Sequence, residues 1–163
     1  MSYEYKVKAS TKEDLLTCIR YLLYYYDPDE YTNDSYKNDD DYAVEFEQGQ
    51  GFHAATISIY NQIYMDLPNL YDNHEEFYEI GKMIVEEMKI RPFSFSFTMS
   101  DEYGNYFHTG DFKFCGGKHI SYFDNASVDC VEPTESCAEA DYVDGKFINE
   151  KLDFVSPLSE EEF

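Results

Sequence analysis

No run of apolar residues in this chain approaches the length of a membrane span. The opening Met1-Ser2-Tyr3-Glu4-Tyr5-Lys6 carries no apolar stretch of the kind found in secretion signals. Four cysteines, Cys18, Cys115, Cys130 and Cys137, have no evident disulfide spacing. These absences together lead us to expect free thiols in a reducing cytoplasm. Tryptophan is missing, yet 17 Tyr and 13 Phe supply enough apolar bulk for a real core, which argues against a wholly disordered acidic chain. Basic residues are scarce: 12 Lys and Arg stand against 34 Asp and Glu, a net charge of −22 over 163 residues. A chain of this sign is repelled by nucleic acid and by anionic lipid, so direct binding to either is disfavoured. Catalytic signatures are also absent. There is no P-loop, G-x-S-x-G elbow, dinucleotide-binding fingerprint or H-E-x-x-H helix.

The acidity that remains is the informative feature. Like charges repel and destabilise a compact state, and solubility alone needs a net charge of magnitude roughly 2–8 in a small domain. A chain of this mass folds to roughly 8,000 Å² of surface, so an even spread gives one net charge per roughly 380 Å². A DNA duplex of roughly 10 Å radius carries one per ~110 Å². Only acids concentrated on about a third of the surface would match that density.

Along the chain, Tyr3, Tyr5, Val7 and Ala9 alternate with Glu4, Lys6 and Lys8, which predicts a strand with one buried face and one solvated face. Ser10 or Thr11 caps a helix with Glu13 and Asp14 in its first turn. Leu15, Leu16, Ile19, Leu22 and Leu23 form its apolar stripe, and Asp27-Pro28 ends it. Residues 27–41 read as a polar acidic loop. Ala43, Val44 and Phe46 begin a second strand, Gly49-Gln50-Gly51 turns, and 53–60 returns as a third. Asp72 or Asn73 caps a second helix, with Phe77, Ile80, Ile84, Val85 and Met88 as its stripe and Arg91-Pro92 as its stop. Phe93, Phe95, Phe97 and Met99 mark a fourth strand, 106–114 a fifth after a turn at 101–105, and 119–123 a short sixth after Gly116-Gly117-Lys118. This order predicts an α+β fold of the ferredoxin-like, split-βαβ type, with an antiparallel sheet carrying two helices on one face. The expected domain is 1–123. Residues 124–163, with 12 acids against two lysines, read as an acidic C-terminal extension.

Two acidic stretches are the candidate partner-binding surface. Residues 27–47 hold nine acids against Lys37 alone. From this stretch the contacts are Asp29, Glu30, Asp34, Asp39, Asp40, Asp41, Glu45 and Glu47, with Tyr31, Tyr36 and Tyr42 as packing anchors. The extension adds Glu132, Glu135, Glu139, Asp141 and Asp144. Carboxylates in rows imitate phosphates and would fill the Arg/Lys groove of a nucleic-acid-handling protein, with fast, salt-sensitive association. The competing reading is a solvated acidic face.

Metal and histidine chemistry are weaker readings. Cys115, His119, Cys130 and Cys137 are four soft ligands in order, but their spacing matches no standard zinc motif, and Cys115 reads equally as an inward strand residue. Asp27-x-Asp29 opens like a calcium loop, but Tyr31 and Thr32 stand where an oxygen ligand and Gly belong. His119-Ile120-Ser121 is one H-x-S element where a paired phosphodiesterase needs two, and His53-Ala-Ala-Thr56 has the wrong spacing to be the second. His108 reads as a hairpin-edge residue.

In size, acidity and lack of a catalytic motif the chain is similar to phage-encoded anti-restriction and anti-CRISPR proteins, and to immunity proteins that block toxin nucleases. The resemblance is one of composition and assigns no residue a role. The expectation is a cytoplasmic, non-enzymatic protein without metal or cofactor. It would inhibit a basic nucleic-acid-handling partner by stoichiometric acidic mimicry. The alternatives are an assembly protein for a cationic protein surface and, least favoured, a small zinc enzyme.

Overall fold

Ser2–Ala9 forms strand β1, with Tyr3, Tyr5, Val7 and Ala9 buried and Lys6 and Lys8 exposed. In this computed structural model the described residues are 2–30, 41–61, 67, 75–100, 106–115, 118–128 and 131–154. Helix α1 follows at Lys12–Leu23. Thr11 is its N-cap, and its hydroxyl oxygen accepts the Asp14 N–H at 3.1 Å, satisfying one of the amide donors left open in a first turn. The helix ends at Leu23, four residues before Asp27, with the Tyr24 N–H closing the last turn on the Arg20 carbonyl. A single 3₁₀ turn occupies Pro28–Glu30.

Strands β2 (Tyr42–Gly49) and β3 (Phe52–Ile59) make a hairpin through Gly51, which sits at φ 77°. Gly49 is needed at its end because any Cβ there would collide with the Phe52 ring. Helix α2 spans Glu75–Met88 and buries Phe77, Tyr78, Ile80, Ile84, Val85 and Met88. Strands β4 (Phe93–Ser100), β5 (Tyr106–Phe114), β6 (His119–Val128), β7 (Val131–Val143) and β8 (Lys146–Asp153) then follow. The predicted cap at Asp72 or Asn73 and the turn at 101–105 lie outside the described residues.

All eight strands belong to one sheet in the order β2-β3-β1-β4-β5-β6-β7-β8, and every pairing is antiparallel. The core lies on one face. Phe77 of α2 stacks on Phe97 of β4 with ring centroids 3.8 Å apart, and Phe95 stacks on Phe112 across β4 and β5 at 5.4 Å. Each such buried ring contributes about 1.5–3 kcal/mol of transfer free energy. Arg91 Nε reaches back to both carboxylate oxygens of Asp14 at 3.0 and 3.1 Å, tying the end of α2 to the start of α1.

The ferredoxin-like, split-βαβ sandwich with a separate acidic extension is therefore corrected: the protein is mostly a single eight-stranded antiparallel sheet accompanied by two helices. The reason lies after Phe123. Strand β6 continues through that position to Val128, and residues 131–153 add β7 and β8 to the same sheet. Ser136, Ala138 and Ala140 point inward on β7 while Glu135, Cys137 and Glu139 point out. The alternation is present in the sequence, but its inward members are small, so it carries little of the bulky apolar signal from which strands are read.

Candidate functional site

Strand pairing distributes the predicted contact residues over both edges of the sheet. At one edge, Asp29 is exposed in the 3₁₀ turn, which also holds Glu30. Asp41 and Tyr42 open β2 and are half-buried. The Asp41 carbonyl accepts the N–H groups of Tyr60 at 2.7 Å and Asn61 at 3.0 Å. Tyr42, opposite Ile59, packs against the core rather than outward. Glu45 and Glu47 are exposed on the open face, opposite Thr56 and Ala54, and make no ion pair or hydrogen bond among the described residues. Tyr31, Asp34, Tyr36, Asp39 and Asp40 lie outside the described residues.

At the other side, Glu132, Glu135, Glu139 and Asp141 fall on β7, and Asp144 sits in the turn to β8 with φ 51°. Strands β2 and β7 are six spacings apart in the sheet, so the two groups are separated by roughly 29 Å. They do not form one patch. Two of the β7 acids, Glu139 and Asp141, are also engaged. Lys151 Nζ lies 3.5 Å from Glu139, His119 lies 3.0 Å from Asp141 and 3.8 Å from Glu139, and the Asn149 amide donates to Asp141 at 3.1 Å. The hydrogen bonds from His119 and Asn149 hold the Asp141 carboxyl below the usual carboxylate range.

The structure adds acids that the sequence reading left out. Glu75, Glu79, Glu86 and Glu87 are exposed on α2. The signal for them was the polar face of the helix, read only as the complement of its stripe. Between the two acidic groups, the open sheet face carries three lysines beside Asp111 at its centre. Lys6, Lys8 and Lys113 project there among the small side chains of Ala54, Thr56, Ser94 and Ser96.

The three soft ligands among the described residues do not converge. His119 faces Asp141, four residues along β7 from Cys137, or about 13 Å. Cys115 is exposed just beyond β5 rather than inward, and Cys130 lies outside the described residues. Among the described residues no three His, Cys, Asp or Glu side chains are grouped to hold a metal ion. His108 is likewise not a hairpin-edge residue. It is 1% exposed and sits edge-on to the rings of Phe97 and Phe77, with Nε2 3.3 Å from Asp124, which also accepts the Tyr122 hydroxyl at 2.7 Å. Facing inward, it cannot meet the exposed His119 across a cleft.

No described helix is long and apolar enough to cross a membrane. Set against known protein families, curated proteins and solved structures, the chain matches none of them.

Proposed function

We propose that this protein is a cytoplasmic, non-enzymatic binder that inhibits a basic nucleic-acid-handling protein by occupying its phosphate-binding groove with carboxylates. The observation that carries the reading is the net charge of −22 combined with exposed Glu45 and Glu47 on an edge strand, which have no ion-pair partner among the described residues. Two residues apart on one strand face, they place carboxylates about 6.7 Å apart along a rigid line. The exposed acids of α2 lie on the other, helix-covered side of the sheet. Nuclease, restriction and CRISPR-type effectors all present grooves of the required sign, and a toxin nuclease would make this chain its immunity protein. Nucleic acid and membrane are not direct partners in this reading.

A second reading is favoured by the division of the acids between two edges and by the prior pairing of Glu139 and Asp141. A protein that bridges two cationic surfaces in an assembly would use both edges without competing with nucleic acid.

The test is a pull-down from native host lysate, eluted by a salt gradient, with each captured basic protein then challenged by duplex DNA or RNA. A nucleic-acid-handling partner that elutes at moderate salt, is displaced by duplex and is lost with Glu45→Gln/Glu47→Gln supports mimicry. A partner that duplex leaves in place supports the assembly reading. Recovery of no basic partner sinks both.

A further inference from the structure

One row across the open face, read through the strand register, is Ala54, Lys8, Ser94, Lys113 and Ser121 on β3, β1, β4, β5 and β6. Small side chains alternate with lysines. Lys8 and Lys113 flank Ser94 and are two strand spacings apart, about 10 Å between Cα atoms. Both four-carbon stems can therefore bring an ammonium to a single anion seated over Ser94. Lys6 and the hydroxyls of Thr56 and Ser96 lie in the next row of the same trough.

Two cavities meet at this point, sharing Lys8, Ser94 and Lys113. One, of about 260 Å³, is the basic and hydroxyl-lined trough. The other, of about 390 Å³, runs off the end of the strands against Phe52, Pro92, Phe93 and Phe114. The Phe52 ring, whose tip lies against Gly49, has the Lys8 ammonium 4.0 Å from its centroid. That contact fixes the lysine at the junction of the two cavities. A concave site with an apolar wall and a few convergent polar groups is the form that small-molecule sites take.

We propose that this junction binds a small organic anion, with a phosphate or carboxylate head over Ser94 between Lys8 and Lys113 and a flat apolar body against Phe52 and Pro92. The protein's overall charge does not forbid this. Screening confines fields to roughly 8 Å at physiological ionic strength, so the head senses the three lysines, with Asp111 and Glu47 of the trough, more than the acids of β7. Asp111 and Glu47, also on the trough wall, set an upper limit on ligand size and charge. A long polyanion such as nucleic acid would meet Glu45 and Glu47 before it met all three lysines. The site shares Glu47 with the acidic edge and goes beyond the inhibitory role.

Calorimetric titration of the full chain with phenyl phosphate tests it, beside inorganic phosphate and phenol as the two halves of the ligand. Phenyl phosphate is expected to bind one to one and more tightly than either half. Lys113→Ala should weaken it by about tenfold, the scale of one charge-assisted hydrogen bond. Lys151→Ala, a lysine paired with Glu139 outside the trough, should leave it unchanged. Both lysines are exposed, so both variants are expected to keep the wild-type thermal midpoint. Amide shifts at Lys8, Ser94 and Lys113 on titration would place the ligand. Absence of saturable binding, shifts confined to another surface, or equal affinity in Lys113→Ala would overturn the proposal. Inorganic phosphate binding as tightly as phenyl phosphate would overturn its apolar half.

Discussion

Tyr78 on α2 donates its phenolic hydrogen to Glu150 Oε2 on β8 at 2.7 Å, and Lys82 Nζ meets the same oxygen at 2.9 Å. One carboxylate near the end of the chain thus receives two donors from a helix some seventy residues earlier. Phe154, just beyond β8, packs its ring 5.8 Å from Tyr78 and 6.1 Å from Tyr122. The acidic C-terminal strands are latched onto the core by these contacts.

Removing the latch should loosen β8 before it unfolds the rest. Glu150→Ala leaves the Tyr78 hydroxyl without its acceptor and should cost about 1–3 kcal/mol. Hydrogen exchange should show faster amide exchange in residues 146–153, while β1 and β4 keep their protection. Uniform loss of protection across the sheet would contradict this.

Stability should fall at both ends of the pH scale through the same contact. Desolvation pushes the Glu150 carboxyl up, but hydrogen bonds from Lys82 and Tyr78 outweigh it and hold it below its ordinary value. Its contribution is therefore present above about pH 4.3 and is lost as pH falls through the lower folded value. Burial, then the hydrogen bond to Glu150, raises the Tyr78 hydroxyl far above its ordinary value. That contribution is complete below about pH 10 and is lost as pH rises toward the folded value. Urea midpoints across pH should drop at both extremes, and Tyr78→Phe should flatten the alkaline limb.

Helix α2 approaches β5 so closely at Gly81 that a Cβ there would overlap the Phe112 ring. Alanine is the better helix former by ~1 kcal/mol, yet overpacking a filled core costs about 1–3 kcal/mol. Gly81→Ala should therefore destabilise the protein, or at best leave it no more stable. A raised thermal midpoint would show that α2 shifts freely over the sheet.

If the acidic edges serve a cationic partner, they should not serve it equally. Glu45→Gln/Glu47→Gln should slow association with the captured partner by roughly tenfold and flatten its salt dependence. Glu139→Gln should do less, because the Lys151 ammonium already lies 3.5 Å from that carboxylate. Stopped-flow association at two ionic strengths decides between them.

Much of the fold is written locally. The alternation of Tyr3, Tyr5, Val7 and Ala9, the Thr11 cap and the stripe from Phe77 to Met88 each specify an element through short-range periodicity, and each forms where that pattern places it. The net charge is likewise a property of the sequence alone. What pairs with what is not. Strand register brought Lys8 and Lys113 to either side of Ser94 from positions more than a hundred residues apart, and it set Glu45 and Glu135 on opposite sides of a wide sheet. The same register turned a segment of small and acidic residues into β7 and β8. Hydrogen bonds between distant strands and the burial of small side chains against an existing sheet leave little trace in local sequence, so only the tertiary structure could place the lysine trough and divide the acidic surface in two.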